Sequence, residues 1–213
     1  MRALYVHGMG RSPISGWPMR VRLQQHGYEY DSFPYMVSLE NFEAVRQRLV
    51  HKLCQMAELG NYVVIGHSLG GVLLRAALAS MPAEVPLPRR LFLIGSPVAP
   101  SRLAKALRKR WLYRALTGDC GQLLASSERM QQVPAAAVPT IAIVGNRGIK
   151  GKWTPFGDED NDGIVAISEV LPKWEHEIIT LPVIHALQPS SWIVADVIAR
   201  KLDDLHKAHP AQM

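Results

Sequence analysis

Ser68 stands in Gly66-His67-Ser68-Leu69-Gly70, directly after the β-branched run Val63-Val64-Ile65 and before an Ala/Leu-rich stretch. That succession reads as strand, sharp turn and helix, with the serine hydroxyl lifted on the turn above the end of a buried strand. A hydroxyl so exposed can attack a carbonyl carbon once a base takes its proton and an acid orients the base. Gly66 and Gly70 lie two residues either side of the serine, where a side chain would collide with the neighbouring strand or helix. The turn also calls for a residue free of the usual backbone restriction. The competing use of Ser68 is to cap the helix that starts there. In either use it feels the positive end of the helix dipole.

A base and an acid are expected after the serine, in the order acid then histidine. Five histidines qualify by position: His67, His176, His185, His206 and His209. His67 adjoins the serine and is expected to point elsewhere on the turn. His206 and His209 fall in a C-terminal tail, 206–213. His176 precedes the last strand and so belongs at the wrong end of the sheet. His185 follows Thr180-Leu-Pro-Val-Ile184, just past the end of that strand and on the serine's side, and is the expected base. The expected acid is Asp162, on the loop after the strand ending at Gly145. There Gly163, Ile164 and Val165 supply a turn and an apolar anchor. Asp158, Glu159 and Asp160 compete for the role, but their more polar surroundings suggest a solvated rim. The developing oxyanion needs two backbone N–H groups. Leu69 is the expected source of one, and Met9, in the turn His7-Gly8-Met9-Gly10 after the first strand, of the other.

The same acidic loop has a second reading. Asp158, Asp160, Asp162, Gly163 and Glu169 satisfy the spacing of a twelve-residue calcium loop. That pattern needs a helix on each side, and Gly148, Gly151, Pro155, Gly157 and Pro172 flank it instead. No cofactor and no metal are expected.

These residues need a scaffold. Strands are expected at Ala3–Val6, Tyr28–Phe33, Val63–Ile65, Leu91–Gly95, Thr140–Gly145 and Glu177–Leu181. Helices are expected over 17–25, 39–59, 72–80 and 191–205. In the second helix, Phe42, Val45, Leu49, Leu53 and Met56 recur every three or four residues and form one apolar face. Short apolar strands alternating with helices argue for an α/β fold, a mainly parallel sheet of about six strands with helices on both faces. Such sheets hold their sites at the carboxyl ends of the strands, where each residue above falls.

The chain reads as one domain over 1–205, with 101–138 its longest excursion between strands. Arg102, Lys105, Arg108, Lys109, Arg110 and Arg114 lie there with no acid among them, and Leu103, Leu107, Trp111, Tyr113 and Leu116 give an apolar side. A basic amphipathic helix near the site mouth suits a small lid, transient contact of 102–114 with an anionic membrane surface, attraction of an acidic substrate, or a solvated face packed on the domain.

At 213 residues, 48% hydrophobic and 20% charged, the composition is that of a soluble globular protein. No run of residues approaches the ~20 apolar positions of a membrane span. Met1-Arg2-Ala3-Leu4-Tyr5-Val6 reads as entering a strand at once, so no signal peptide is expected. Cys54 and Cys120 are too few for a disulfide framework, so a cytoplasmic setting is expected. A net charge of +6 does not by itself argue for nucleic acid.

Taken together, the His7-Gly8 turn, the Gly66-His67-Ser68-Leu69-Gly70-Gly71 elbow, Asn161-Asp162-Gly163-x-Val165 and His185 resemble the α/β-hydrolase superfamily. The narrower resemblance is to small bacterial lipase-like and esterase-like members, over most of the chain from Leu4 to about Leu202. Gly95-Ser96-Pro97 is similar to the Gly-Thr-Pro turn of many such lipases. The resemblance implies hydrolysis of a small-molecule ester through an acyl-enzyme, with Ser68, Asp162 and His185 as the triad and Met9 and Leu69 holding the oxyanion. The antiparallel strands that begin larger members are expected to be missing, and no separate cap domain is expected unless 101–138 serves as a small one, so the fold expected is a minimal one. Thioester hydrolysis or acyl transfer would use the same triad. A non-catalytic binding protein on this fold would be expected to lack a triad member.

Overall fold

The computed structural model describes residues 1–174 and 176–208. Its strands are β1 (Arg2–Val6), β2 (Glu29–Phe33), β3 (Tyr62–His67), β4 (Leu91–Ile94), β5 (Thr140–Gly145) and β6 (His176–Leu181). They form one sheet in the order β2-β1-β3-β4-β5-β6, and every neighbouring pair is parallel. The intervening helices are α1 (Trp17–Gln25), α2 (Phe42–Glu58), α3 (Leu69–Leu78), α4 (Arg102–Leu107), α5 (Trp111–Ala125), α6 (Ser127–Gln131), α7 (Ile167–Val170) and α8 (Trp192–Ala208).

Inner strands are apolar except at their ends (Arg2, His67, Thr140) because both faces are covered. Alternate side chains divide the core in two. Leu4, Val6, Tyr62, Val64, Leu91 and Leu93 pack against α2, α3 and the α5–α6 region. Ala3, Tyr5, Val63, Ile65, Phe92 and Ile94 pack against α1 and α8 on the other face. Helix α2 shows how burial, rather than propensity, sets an element. Its predicted stripe of Phe42, Val45, Leu49, Leu53 and Met56 is buried, and each such side chain contributes about 1.5–3 kcal/mol. The helix begins three residues later than its apolar pattern suggests because Asn41 caps it, its Oδ1 accepting the Ala44 N–H at 2.8 Å.

The sequence order of strands reverses at β1. From there α1 leads outward to β2, and α2 leads back across to β3 on the other side. The carboxyl ends of β1 and β3 therefore face a crevice, the expected place for a site in an open α/β sheet.

The first part of the 101–138 excursion differs from the expected basic amphipathic helix. It breaks at Arg108–Arg110 into α4 and α5, and α5 kinks at Gly118, whose φ of 52° is open to glycine. The Val37 carbonyl lies 2.4 Å from where a Cβ would stand at Gly118, so the close approach also demands glycine. The apolar assignments divide as well. Leu103, Leu107 and Tyr113 are half-buried, whereas Trp111, Leu112 and Leu116 are 74%, 54% and 69% exposed. At the far end Arg75 of α3, buried and with its pKa lowered to about 10 by desolvation, donates to the Val133 and Pro134 carbonyls and ties the returning chain down.

The expected tail starts later than 206, since α8 carries residues 206–208; His209 lies outside the described residues. Cys54 and Cys120 are free thiols. No helix among the described residues is long and apolar enough to cross a membrane.

Candidate active site

Ser68 joins β3 to α3 with φ 51° and ψ −122°, the one non-glycine residue of positive φ among those described. Such a conformation costs of order 1–3 kcal/mol and persists only where its surroundings enforce it. They do so here through the two flanking glycines. A Cβ on Gly66 would stand 2.5 Å from the Gly71 backbone, and one on Gly70 would stand 2.1 Å from the Val6 carbonyl. The glycines thus provide space, while the unusual torsion falls on the serine itself. The Ser68 N–H donates to the Ile94 carbonyl at 2.9 Å. Its hydroxyl makes no capping bond to α3, so the helix-cap use of Ser68 is not realised.

Asp162 and His185 come together from loops after adjacent strands, β5 and β6. The carboxylate can only accept, so His185 carries its proton on Nδ1 and donates it to Asp162 Oδ2 at 2.7 Å. That leaves Nε2 as an acceptor. The backbone repeats the link, as the His185 N–H donates to the Asp162 carbonyl at 2.8 Å. The other carboxylate oxygen, Oδ1, accepts the N–H groups of Ile164 at 3.0 Å and Val165 at 2.9 Å. The turn after Asp162 thereby fixes its side chain, with Val165 buried and Ile164 39% exposed.

Sequence reasoning missed Gln188. It lies in the short 3₁₀ helix His185–Ser190, is 1% exposed, and donates through Nε2 to the same Asp162 Oδ2 at 2.7 Å. Nothing in Ala186-Leu-Gln-Pro distinguishes it locally from a surface glutamine. The cluster leaves no room beside it. A Cβ at Gly95 would meet Gln188 Oε1 at 2.6 Å and His185 Nδ1 at 3.1 Å, and one at Gly145 would meet Gln188 Nε2 at 2.5 Å.

Ser68 and His185 line one cavity of about 390 Å³, together with Met9, Leu103, Leu107 and Tyr113. Among the described residues no hydrogen bond of 3.5 Å or less joins Ser68 Oγ to His185; such contacts tighten when substrate arrives. The N–H groups of Met9 and Leu69 have no acceptor among the described residues. Arg11, at the rim, donates to the Ala186 carbonyl at 2.9 Å and pins the His185 turn to the β1 loop.

His67 does not point away. It is buried, its ring centroid lies 4.9 Å from that of His185, and Nε2 donates to the His185 carbonyl at 3.2 Å. Burial, then the neighbouring His185, pushes its pKa well below the ordinary 6.5, so it stays neutral. His7 is buried too, stacked on Tyr35 at 4.3 Å, and desolvation lowers its pKa. The Tyr35 hydroxyl donates to the His7 carbonyl at 2.7 Å, which holds the β1 loop in place. His176 opens β6 at the opposite end of the sheet, and His206 is exposed near the end of α8.

The calcium-loop spacing does not produce a ligand cluster. Asp162 is taken by His185 and Gln188, and Asp160 pairs with Lys150 at 2.6 Å. Glu169 turns inward to accept the N–H groups of Ala166 at 2.7 Å and Arg102 at 2.5 Å, and desolvation raises its pKa. Strand β5 and the single turn α7 replace the required helices. Among the described residues no three such side chains gather where they could hold a metal ion.

No protein-family model matches the chain, and no curated protein does. Solved structures are similar to it over nearly its whole length. The RedJ thioesterase from the prodiginine biosynthetic pathway in Streptomyces coelicolor is 17% identical, with 94% of this chain and 84% of that one covered and a TM-score of 0.61. A thermophilic esterase from Thermogutta terrifontis is 16% identical, with 97% and 90% covered and a TM-score of 0.59. A protein from Xanthomonas campestris assigned to the alpha/beta hydrolase superfamily is 16% identical, with 95% and 98% covered and a TM-score of 0.57. At such identities the likeness is one of backbone, and it agrees with the parallel six-stranded order and the serine on its elbow: the chain has the α/β-hydrolase fold.

Proposed function

We propose that this protein is a serine hydrolase that cleaves carboxylic esters through an acyl-enzyme. The observation that carries the reading is the 2.7 Å His185–Asp162 pair opening on the same cavity as the strained Ser68. In this mechanism Ser68 Oγ attacks the acyl carbon while His185 Nε2 takes its proton, and Asp162 stabilises the imidazolium so formed. The Met9 and Leu69 N–H groups hold the oxyanion of the tetrahedral intermediate. His185 then protonates the departing alcohol. A water, deprotonated by His185, releases the acid and restores Ser68. A thioester would follow the same steps with a thiol as leaving group. The thioesterase among the similar structures favours that second reading.

Labelling of purified protein with a fluorophosphonate tests the nucleophile. Wild type and His176→Ala are expected to label and to hydrolyse p-nitrophenyl esters. Ser68→Ala should not label, and Ser68→Ala and His185→Ala should each lose about 10⁴-fold or more in kcat. Labelling retained by Ser68→Ala, or absent from correctly folded wild type, would reject the mechanism.

A further inference from the structure

The net charge of +6 sits on one stretch. Residues 102–114 hold six cations and no acid, and the rest of the chain is electrically balanced. Arg102 is neutralised by Glu159 at 2.6 Å. Lys105, Arg108, Lys109, Arg110 and Arg114 are exposed and make no ion pair among the described residues. Elsewhere on the strand-end face several acids are matched: Glu40 with Arg48, Asp119 with Arg129, Asp160 with Lys150. The largest run of unmatched cations among the described residues is therefore the end of α4 and the start of α5.

Apolar side chains lie among these cations. Trp111, Leu112 and Leu116 are largely exposed at the start of α5, although Leu107, Tyr113 and Leu116 from the same stretch line the cavity that holds Ser68. A second exposed pair, Ile149 and the fully exposed Trp153, stands on the loop after β5 beside Lys152. That loop is joined to α4 where Arg102 lies over the Phe156 ring at 5.7 Å. A soluble acidic partner would account for the cations but not for solvent-facing tryptophans. An anionic bilayer accounts for both, since tryptophan settles at the headgroup level, leucine enters the acyl boundary, and lysine and arginine meet lipid phosphates.

We propose that the exposed start of α5, with the end of α4, docks the protein on an anionic lipid bilayer. Trp111 and Leu112 enter the interface, and Lys109, Arg110 and Arg114 hold the phosphates. The cavity mouth then faces the membrane. Docking stands apart from the hydrolase reading, because it needs neither Ser68 nor His185.

Sedimentation of the full chain with vesicles tests it. Binding is expected to phosphatidylcholine vesicles containing phosphatidylglycerol, not to phosphatidylcholine alone, and to weaken with salt. Lys109→Glu/Arg110→Glu/Arg114→Glu should weaken it by about a hundredfold. Trp111→Ala/Leu112→Ala, with the charges intact, should weaken it by about tenfold. Circular dichroism should match wild type for both variants, since all five side chains are exposed or half-exposed at the surface. No binding to anionic vesicles at low salt would overturn the proposal. So would binding that survives the charge reversals, or binding indifferent to the Trp111 and Leu112 changes, which would point to a soluble polyanion.

Discussion

Gln188 and His185 share one carboxylate oxygen of Asp162, and each bond restricts how that carboxylate can turn. A hydrogen bond to a charged group contributes about 1.5–3 kcal/mol. In the proposed mechanism Gln188→Ala is therefore expected to lower kcat by about 10- to 100-fold with KM within about twofold, because the lost bond would orient the base rather than the substrate. Gln188→Glu should be worse, since it sets a second carboxylate against Asp162. Steady-state kinetics beside a thermal melt decide it; a variant that melts lower but turns over normally would make Gln188 merely structural. At this scale the sequence was informative where a residue is tied to an element's end. Ser68, Asp162 and His185 each follow a strand, and the structure brings Asp162 against His185. Gln188 and His67 escaped because their importance arises from proximity across the fold: Gln188 to Asp162, twenty-six positions away, and His67 to His185.

Among elements, the junction of β3 and α3 has the least freedom. Gly70 faces backbone, the Val6 and His7 carbonyls, whereas Gly71 faces the Ser96 and Leu93 side chains, which can move aside. Gly70→Ala is expected to cost about 3 kcal/mol or more, or to prevent folding, and Gly71→Ala about 1–3 kcal/mol. Urea unfolding of both variants checks the order; an equal loss would mean that β1 and α3 can separate without penalty. Strands and long helices were legible because buried parallel strands are continuously apolar and α2 has a one-sided stripe. The 101–138 region was legible only in part. Its first part suggested one basic amphipathic helix, but the break at Arg108–Arg110 turns Trp111 and Leu112 to solvent while Leu103 and Leu107 stay over the cavity.

For the whole molecule, the buried histidines set a pH dependence. His67 is held neutral with its pKa well below 6.5, facing His185, His7 and Arg11. The unfolded chain takes a proton near 6.5 and the folded chain does not, so protons favour unfolding. Stability should be full above about pH 6.5 and fall as the pH drops below it. Glu169, whose pKa is raised by burial, acts in the opposite sense in more acidic solution. The melting temperature of His67→Gln should therefore change less than that of wild type between about pH 7 and pH 5. Parallel curves would assign the acid sensitivity to other groups. The pairing of β6 with β5 has a consequence in time. Ser68 follows a strand near the middle of the sheet, but the loop carrying His185 is delivered by the edge strand β6, synthesised well after it. A chain emerging from the ribosome exposes Ser68 long before it holds His185. In the proposed mechanism the newborn chain is chemically mute until β6 and the loop after it are laid down.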